Sequence, residues 1–462
     1  MRPPVALVLF TLGIAGLFYL DSDRSERVSG AVWLSAIWIW INGSRPISSW
    51  LDMAPQVEGG GQLPNTSFID QLVAAVLMIA AFAVLQRRWG KVSSYLRASW
   101  PITLYFGFAL LSLLWSDFPG WGFKRWFRAL GDVAMALLIV TDKNPKAAIG
   151  RLFSRIGFIL LPLSVLLIKY FPALGAGSTE WGQRMNVGVT TNKNSLGVIT
   201  YVVGLGIAWN FLRYLYDKGL KHRIQRMVAQ GVTLVFAVQV LLAAHCATAG
   251  ACFSLGSGLM VITHLPRIKR NKAAIHGLML TLLIGGGLIL LLGGEADATH
   301  ALGRNADLTG RTLVWDVVLP MVPSSLVGAG FETFWVGPRV EAIRSVLGFV
   351  NEAHNGYIET YLNLGWAGII LVALILLYGY MRSVDTFRSN PELGALLLTY
   401  VVTAAFYSIS EVGFRMLNPL WFFLLLSVLA ASRPIKAEEF RRGKSPRLFP
   451  REAPQEQDLV LR

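Results

Sequence analysis

The sequence predicts an all-α, polytopic integral membrane protein, and three observations carry that reading. Of 462 residues, 54% are hydrophobic and only 15% charged, against about a quarter charged in a soluble chain. Mean hydropathy is +0.52. Apolar runs recur along the chain, each long enough to cross a bilayer at about 20 residues per helix. The same composition excludes a disordered chain, a collagen and a disulfide scaffold. The formal charge of +15 would suit nucleic acid, but the basic residues lie in short connections between apolar runs. That is the positive-inside pattern of a membrane protein, so no nucleic-acid partner is expected. Cys246 and Cys252 have no metal or redox spacing and read as packing residues.

The first run, 4–20, ends Phe18-Tyr19-Leu20-Asp21 without the small-residue cleavage pattern of a signal peptide, and reads as a membrane helix. The further runs are 31–49, 68–86, 98–116, 127–141, 152–169, 195–213, 227–246, 249–264, 273–294, 361–381, 394–409 and 418–431. Gly43-Ser44-Arg45-Pro46 interrupts the second, so the expected total is 12 or 13 crossings. Lys and Arg set the orientation. Four lie in 86–98 (Arg87, Arg88, Lys91, Arg97), five in 213–226, four in 265–272 and eight after Ser432. An even number of crossings separates each of these from the next, which places them all on the cytoplasmic side. The Pro-rich, mixed-charge tail 432–462 reads as disordered.

The outer side then receives 50–67, 116–127, 170–194, 295–360 and 410–417. The connection 295–360 is by far the longest, and such a length is usually functional or disordered. Its Trp315, Phe331, Phe334, Trp335 and Tyr357 favour folding against the membrane surface. Outer loops also carry basic residues against the positive-inside trend: Lys124, Arg125 and Arg128; Arg184 and Lys193; and Arg304, Arg311, Arg339 and Arg344. Any one of them would be ordinary in a wet loop. Their repetition in three loops beside aromatic residues suits an anion at the membrane surface, and the planar Arg fork suits phosphate. The spans lack the midplane charges of an ion-coupled transporter. Asp132 and Arg155, both near expected helix ends, are the exceptions.

Three motifs stand where outer segments enter helices. In Gly188-Val189-Thr190-Thr191-Asn192-Lys193-Asn194-Ser195-Leu196-Gly197, Asn194 or Ser195 would cap a helix whose exposed N–H groups favour an anion. In Leu308-Thr309-Gly310-Arg311-Thr312-Leu313-Val314-Trp315, Thr309 reads as a cap, and Arg311 in the first turn opposes the helix dipole. A local cost without a local gain points to another use for Arg311, such as anion binding. The third motif, Glu352-Ala353-His354-Asn355-Gly356-Tyr357-Ile358-Glu359, holds a histidine with a reference pKa of about 6.5, suited to taking a proton from a sugar hydroxyl. A loop histidine serving only as a hydrogen-bonding residue is the competing reading. His222, His264 and His276 fall on the cytoplasmic side.

Together these motifs resemble the O-antigen ligase/polymerase family of bacterial membrane glycosyltransferases. The set also includes Gly328-Ala329-Gly330-Phe331, while Leu111-Ser112-Leu113-Leu114-Trp115-Ser116-Asp117 and Gly43-Ser44-Arg45-Pro46-Ile47-Ser48 look like the branch that polymerises exopolysaccharide. The resemblance covers roughly residues 33–430. It departs at His245-Cys246-Ala247-Thr248-Ala249-Gly250, where relatives often place a Ser/Thr-rich turn, sometimes with Arg.

The resemblance implies a lipid-dependent glycosyltransferase bundle in residues 1–431 of the inner membrane, with a periplasmic catalytic loop 295–360. It implies transfer of glycan from undecaprenyl pyrophosphate to a glycan or lipid-linked acceptor, with no cofactor and no metal. Membrane lipids and other polysaccharide assembly and chain-length proteins would be its partners. On that reading Arg311 stabilises pyrophosphate with Arg184 and Lys193 as auxiliaries, and Asn194 lines the same site. His354 is the base or acceptor-orienting group, set by Asn355 or Glu359, and Lys124, Arg125 and Arg128 guide the lipid phosphate. Polymerisation of repeat units and ligation of a finished chain to lipid A core share this chemistry. A flippase or exporter would need basic residues lining a cavity across the membrane.

Overall fold

In this computed structural model the described residues are 2–22, 27–51, 67–178, 184–263, 265, 276–277, 309–348 and 350–432. All but 276–277 of the expected span 273–294, most of the connection 50–67, Arg304 with the rest of 295–308, and the tail from 433 lie outside them. The chain forms helices α1 (Pro3–Leu20), α2 (Val32–Asn42), the one-turn α3 (Ile47–Trp50), α4 (Phe68–Gln86), α5 (Trp89–Ala98) and α6 (Trp100–Leu111). There follow α7 (Pro119–Val140), α8 (Pro145–Tyr170), the one-turn α9 (Pro172–Gly175), α10 (Lys193–Tyr216), α11 (Arg223–Ala244) and α12 (Ala247–Thr263). After the undescribed stretch come α13 (Thr309–Val318), α14 (Pro338–Leu347), α15 (Gly356–Ser389), α16 (Pro391–Ser410) and α17 (Pro419–Ala431). A hairpin, Ala176–Ser178 against Arg184–Asn186, is the β structure among the described residues.

Helix starts follow from local chemistry. Asn144-Pro145, Asn390-Pro391 and Asn418-Pro419 each place a capping amide before a proline at the first helical position. The side chain supplies an acceptor for an orphan N–H, and the proline ring presets φ. Seven helices among the described residues (α1, α4, α8, α10, α11, α15, α16) are long and apolar enough to cross a membrane, eight if the bent α5–α6 pair counts as one. The chain is a multi-pass membrane protein. Exposed Val5, Leu9, Leu72 and Ile79 on α1 and α4 would be costly in water and face lipid here.

Differences from the expected 12 or 13 spans have physical causes. The run 31–49 is not one helix: α2 ends at Asn42 and the chain turns through Gly43–Pro46. Helices α2, α12 and α17 are shorter than a full span. Helix α7 begins at Pro119, so Lys124, Arg125 and Arg128 stand on a helix and not in a loop. Asp132 is an interior residue of α7 and not near its end. It is buried because Trp38 Nε1 donates to one oxygen at 2.8 Å and the Leu417 N–H to the other at 2.9 Å.

At the centre lies α17, buried on nearly every side and packed against α7, α10, α15 and α16. A helix apolar all round belongs in the core. Phe423 of α17 stacks on Phe153 at 4.9 Å and on Tyr400 at 5.3 Å. Residues from 309 to 353 fold over one end of this bundle around a second core of Val314, Val318, Phe334, Trp335, Val340 and Ile343. They dock on a break in α15, where Gly365 has φ 62° and ψ −160°. The Trp366 N–H donates to the Ser325 carbonyl at 2.9 Å and the Ala367 N–H to that of Leu326 at 3.0 Å. At the opposite end, buried Asp21 ties α1 to Arg151 of α8 at 3.0 Å and to Arg226 of α11 at 3.5 Å.

The break at Gly365 is a place where only glycine fits. Its backbone conformation is essentially glycine-only, costing about 1–3 kcal/mol for other residues, and a Cβ there would meet the Leu326 carbonyl carbon at 2.3 Å. Gly365→Ala should therefore lower the melting temperature of purified protein and loosen the segment docked on the break. An unchanged melting curve would mean that the break does not anchor this segment.

Candidate active site

The site is assembled from four segments that the fold brings together at the end of the bundle covered by residues 309–348. The start of α10 supplies Asn194, α13 supplies Arg311, the turn before α15 supplies Glu352 and His354, and the turn after α16 supplies Glu411 and Arg415. Glu411 joins them. Its carboxylate is buried, accepts from Arg311 Nη2 at 3.0 Å and from Asn194 Nδ2 at 3.2 Å, and faces His354 Nδ1 at 3.6 Å. Arg311 Nη1 also donates to the Ser410 carbonyl at 2.6 Å. A buried carboxylate needs such partners, since an unpaired one would cost several kcal/mol.

His354 is held by strain as well as by charge. Its φ is 48°, a left-handed conformation that non-glycine residues adopt rarely, and then often at functional sites. Nδ1 lies 3.3 Å from Glu352 and 3.6 Å from Glu411, and 37% of the side chain is accessible. The Glu411 carboxylate is the largest cause raising the His354 pKa above its ordinary value. The charge of Glu352 adds to it, while burial and Arg311 oppose it. Nδ1 is thus the ring nitrogen that faces the two carboxylates. A carboxylate-oriented imidazole of this kind is the usual form of a general base.

The residues around His354 explain its setting. Asn355 caps α15, accepting from the Tyr357 and Ile358 N–H groups, and Nδ2 donates to the Ile409 carbonyl at 2.8 Å. The Gly356 N–H donates to the Glu411 carbonyl at 3.1 Å, and a Cβ at Gly356 would meet Ser408 Cβ at 2.9 Å. The His-Asn-Gly sequence is thus what lets this turn lie against the Glu411 turn. Glu359 is buried. It accepts from Trp335 Nε1 at 2.7 Å and from the Ala353 N–H at 3.1 Å, so it fixes the residue preceding His354.

Other expected residues are placed less centrally. Asn192, and not Asn194 or Ser195, caps α10 through the Ser195 N–H at 2.7 Å, which leaves Asn194 free to reach Glu411. Thr309 is the first residue of α13 and not its cap; Leu308 is not among the described residues. Lys193 is half-buried at the first turn of α10, whereas Arg184 is exposed on the hairpin. Arg125 donates to the Glu332 carbonyl, and the Glu332 carboxylate pairs with Arg415 at 3.5 Å, an indirect link to the site. Arg128 lies deeper along α7, near Asp132 and Asp70. Arg339 pairs with Asp117 at 2.9 Å and is no bare surface charge.

Sequence reasoning missed Glu411, Arg415 and Glu332, whose spacing carries no motif. It also missed a support beneath the site. The Arg45 N–H donates to the Val189 carbonyl at 2.9 Å, Nε to that of Thr190 at 2.9 Å and Nη2 to that of Gly188 at 3.1 Å. The Gly43–Pro46 turn and the Gly188–Thr190 turn are therefore one unit. The departing segment 245–250 also reaches the site, because the Thr248 hydroxyl lies 3.0 Å from that of Ser410. Glu352, His354 and Glu411 could each offer a cation one ligand atom, all within 4.8 Å. Arg311 at 3.0 Å and Arg415 at 3.5 Å already balance the two carboxylates.

No protein-family model matches the chain. It is similar to the exopolysaccharide production protein ExoQ of Rhizobium meliloti (strain 1021), with 27% identity over 338 residues, covering 67% of this chain and 72% of that protein. That similarity agrees with the resemblance carried by the motifs.

The carboxylates around His354 set a sign that can be measured. NMR of histidine-labelled protein should give its titration midpoint above about 6.5, the ordinary value, and the neutral imidazole should appear only as pH rises through it. Glu352→Gln and Glu411→Gln should each lower the midpoint, because each removes a charge that favours imidazolium. A midpoint indifferent to both changes would detach His354 from this cluster.

Proposed function

We propose that this protein is a membrane glycosyltransferase that polymerises exopolysaccharide or O-antigen repeat units, using undecaprenyl-pyrophosphate-linked glycan on the periplasmic face of the inner membrane. The observation that carries the reading is Glu411, which brings an accessible histidine and an Arg fork to one carboxylate across 100 residues of sequence. In the reaction, the acceptor hydroxyl oxygen attacks the anomeric carbon as the bond from that carbon to the pyrophosphate oxygen breaks. His354 Nε2 takes the hydroxyl proton, and the leaving electron pair stays on pyrophosphate. Arg311 retains N–H donors beyond those given to Ser410 and Glu411, and these meet the phosphate, with Lys193 and then Arg184 as auxiliaries. Arg125 and Arg128 guide the lipid phosphate along α7. Direct displacement inverts the anomeric configuration.

The leaving group is already a good one, so the protein's task is positioning and charge stabilisation. No metal or nucleotide sugar is required on this reading. The likeness to a protein named for exopolysaccharide production supports polymerisation. Ligation of a finished chain to lipid A core is the alternative with the same chemistry. A flippase or exporter is disfavoured because the charged cluster sits at one end of the bundle.

The test is transfer in proteoliposomes with purified lipid-linked repeat units. His354→Ala should lose about 10²–10⁴-fold in rate, the usual worth of a general base, while binding of the donor survives. Arg311→Lys should lose most activity despite keeping the charge, since an ammonium does not reproduce the planar fork. A chelator should leave the wild-type rate unchanged, and Glu341→Gln on exposed α14 serves as the control. Near-normal transfer by both site variants would end the enzyme reading. In the host, deletion should accumulate single lipid-linked repeats; long unattached chains would instead identify a ligase.

Sidedness is tested separately by cysteine labelling. With a membrane-impermeant reagent, Ser345→Cys should label in intact spheroplasts and Lys218→Cys only after lysis. The reverse pattern would turn the site to the cytoplasm and remove its access to a periplasmic donor.

A further inference from the structure

At the end of the bundle opposite His354, two adjoining cavities of about 400 Å³ each open between the segment leading into α2, the α4–α5 junction and the α7–α8 turn. Ser29 and Arg88 line both, so they form one cleft. Its polar wall carries Arg27, Arg87, Arg88, Lys91 and Lys143, while Ala31, Leu34 and Val84 supply an apolar wall. Among the described residues, no carboxylate pairs with any of the five cations. Asp142, the buried acid at this level, is used by backbone: its oxygens accept from the Ser29 and Asn144 N–H groups at 3.2 Å each. Arg88 is anchored, with Nη2 donating to Ser29 Oγ at 3.0 Å and Nη1 to the Leu138 carbonyl at 3.3 Å. Arg87, Lys91 and Lys143 remain exposed around the mouth.

An independent feature fixes the level of this cleft relative to the bilayer. Helix α5 meets α6 at 88°, so when α6 stands across the membrane α5 lies along its surface. Lys91 is on α5, and the exposed Trp89 at its start is the residue type that settles at the headgroup boundary. Phosphate-binding cations beside an apolar wall at that depth match a molecule with both parts. A soluble phosphate would use only one of them.

We propose that this cleft is a binding site for the phosphodiester headgroup of an anionic glycerophospholipid, whose acyl chains run along Leu34 and Val84. The site is separate from the transfer chemistry and does not depend on it. Basic pockets between membrane helices commonly hold such headgroups. Bound there, the lipid bridges α2, α4 and the α7–α8 turn and neutralises cations that otherwise repel one another.

Native mass spectrometry of the full-length protein in detergent tests the proposal, with phosphatidylglycerol, phosphatidylcholine or inorganic phosphate added. The wild type should retain phosphatidylglycerol in preference to phosphatidylcholine. The triple variant Arg87→Gln/Lys91→Gln/Lys143→Gln should lose about tenfold or more in that affinity. The double variant Lys218→Gln/Lys221→Gln, basic and exposed at the same end but outside the cleft, should bind as the wild type does. Arg87→Lys/Lys91→Arg keeps the charge, replaces only exposed side chains and should retain the lipid, which guards against misfolding of the triple variant. Equal loss in the triple and double variants would reduce the effect to general surface charge and overturn the site. Displacement of the lipid by equimolar inorganic phosphate would overturn the lipid assignment.

Discussion

A carboxylate with 5% of its surface exposed at the boundary of a membrane protein is tenable only when cations and donors surround it. Glu411 is that group, and the segments around it are arranged to supply its partners. Arg311 comes from the segment after the undescribed stretch, Asn194 from the start of α10, and His354 from the turn before α15. Removing Arg311 would leave the carboxylate unbalanced and removing Asn194 would cost it a donor, so these contacts hold the segments in one arrangement. The same electrostatic requirement raises the basicity of His354. Structural need and chemical capacity are here a single interaction.

That arrangement relies on rigid backbone beneath it. Asp132 receives Trp38 Nε1 on one side and the Leu417 N–H on the other, fixing the turn that carries Glu411 and Arg415 to α2 and α7. The break at Gly365 anchors the segment before α14, and buried Glu359 then ties Trp335 to the turn that presents His354. Arg45 closes the third side by binding the Gly188–Thr190 turn just before Asn194. Buried polar groups away from His354 therefore hold the Glu411 cluster in place, the kind of fixed arrangement that the proposed transfer reaction would draw on.

Charge is distributed differently at the two ends of the bundle. At the end that carries His354, guanidinium groups are matched by Glu411, Glu352 and Glu332, beside the partly accessible imidazole of His354. At the opposite end Asp21 is absorbed by Arg151 and Arg226, while the cations around Ser29 and Arg88 stay unmatched among the described residues. On the proposed function the first pattern suits an anion that leaves after transfer, and on the proposed lipid site the second suits one that stays.

The sequence by itself determined the fold class and most spans, because burial in lipid demands long apolar helices that composition makes visible. It also pointed to Arg311, which opposes the dipole of its helix, to His354 for its imidazole, and to Asn194 as a candidate cap. It could not pair them. Glu411 lies in a short turn with no motif, and its meaning comes from residues 57 and 100 positions away; only the packing of α10, α13, α15 and α16 makes those neighbours. Tertiary structure also decided that Lys124, Arg125 and Arg128 ride on a helix, that Glu359 is buried, and that the helix within 31–49 ends at Asn42. Hydropathy registers how apolar a run is and not where its polar groups find partners. Those partners are long-range, and they are what the buried charges of this protein required.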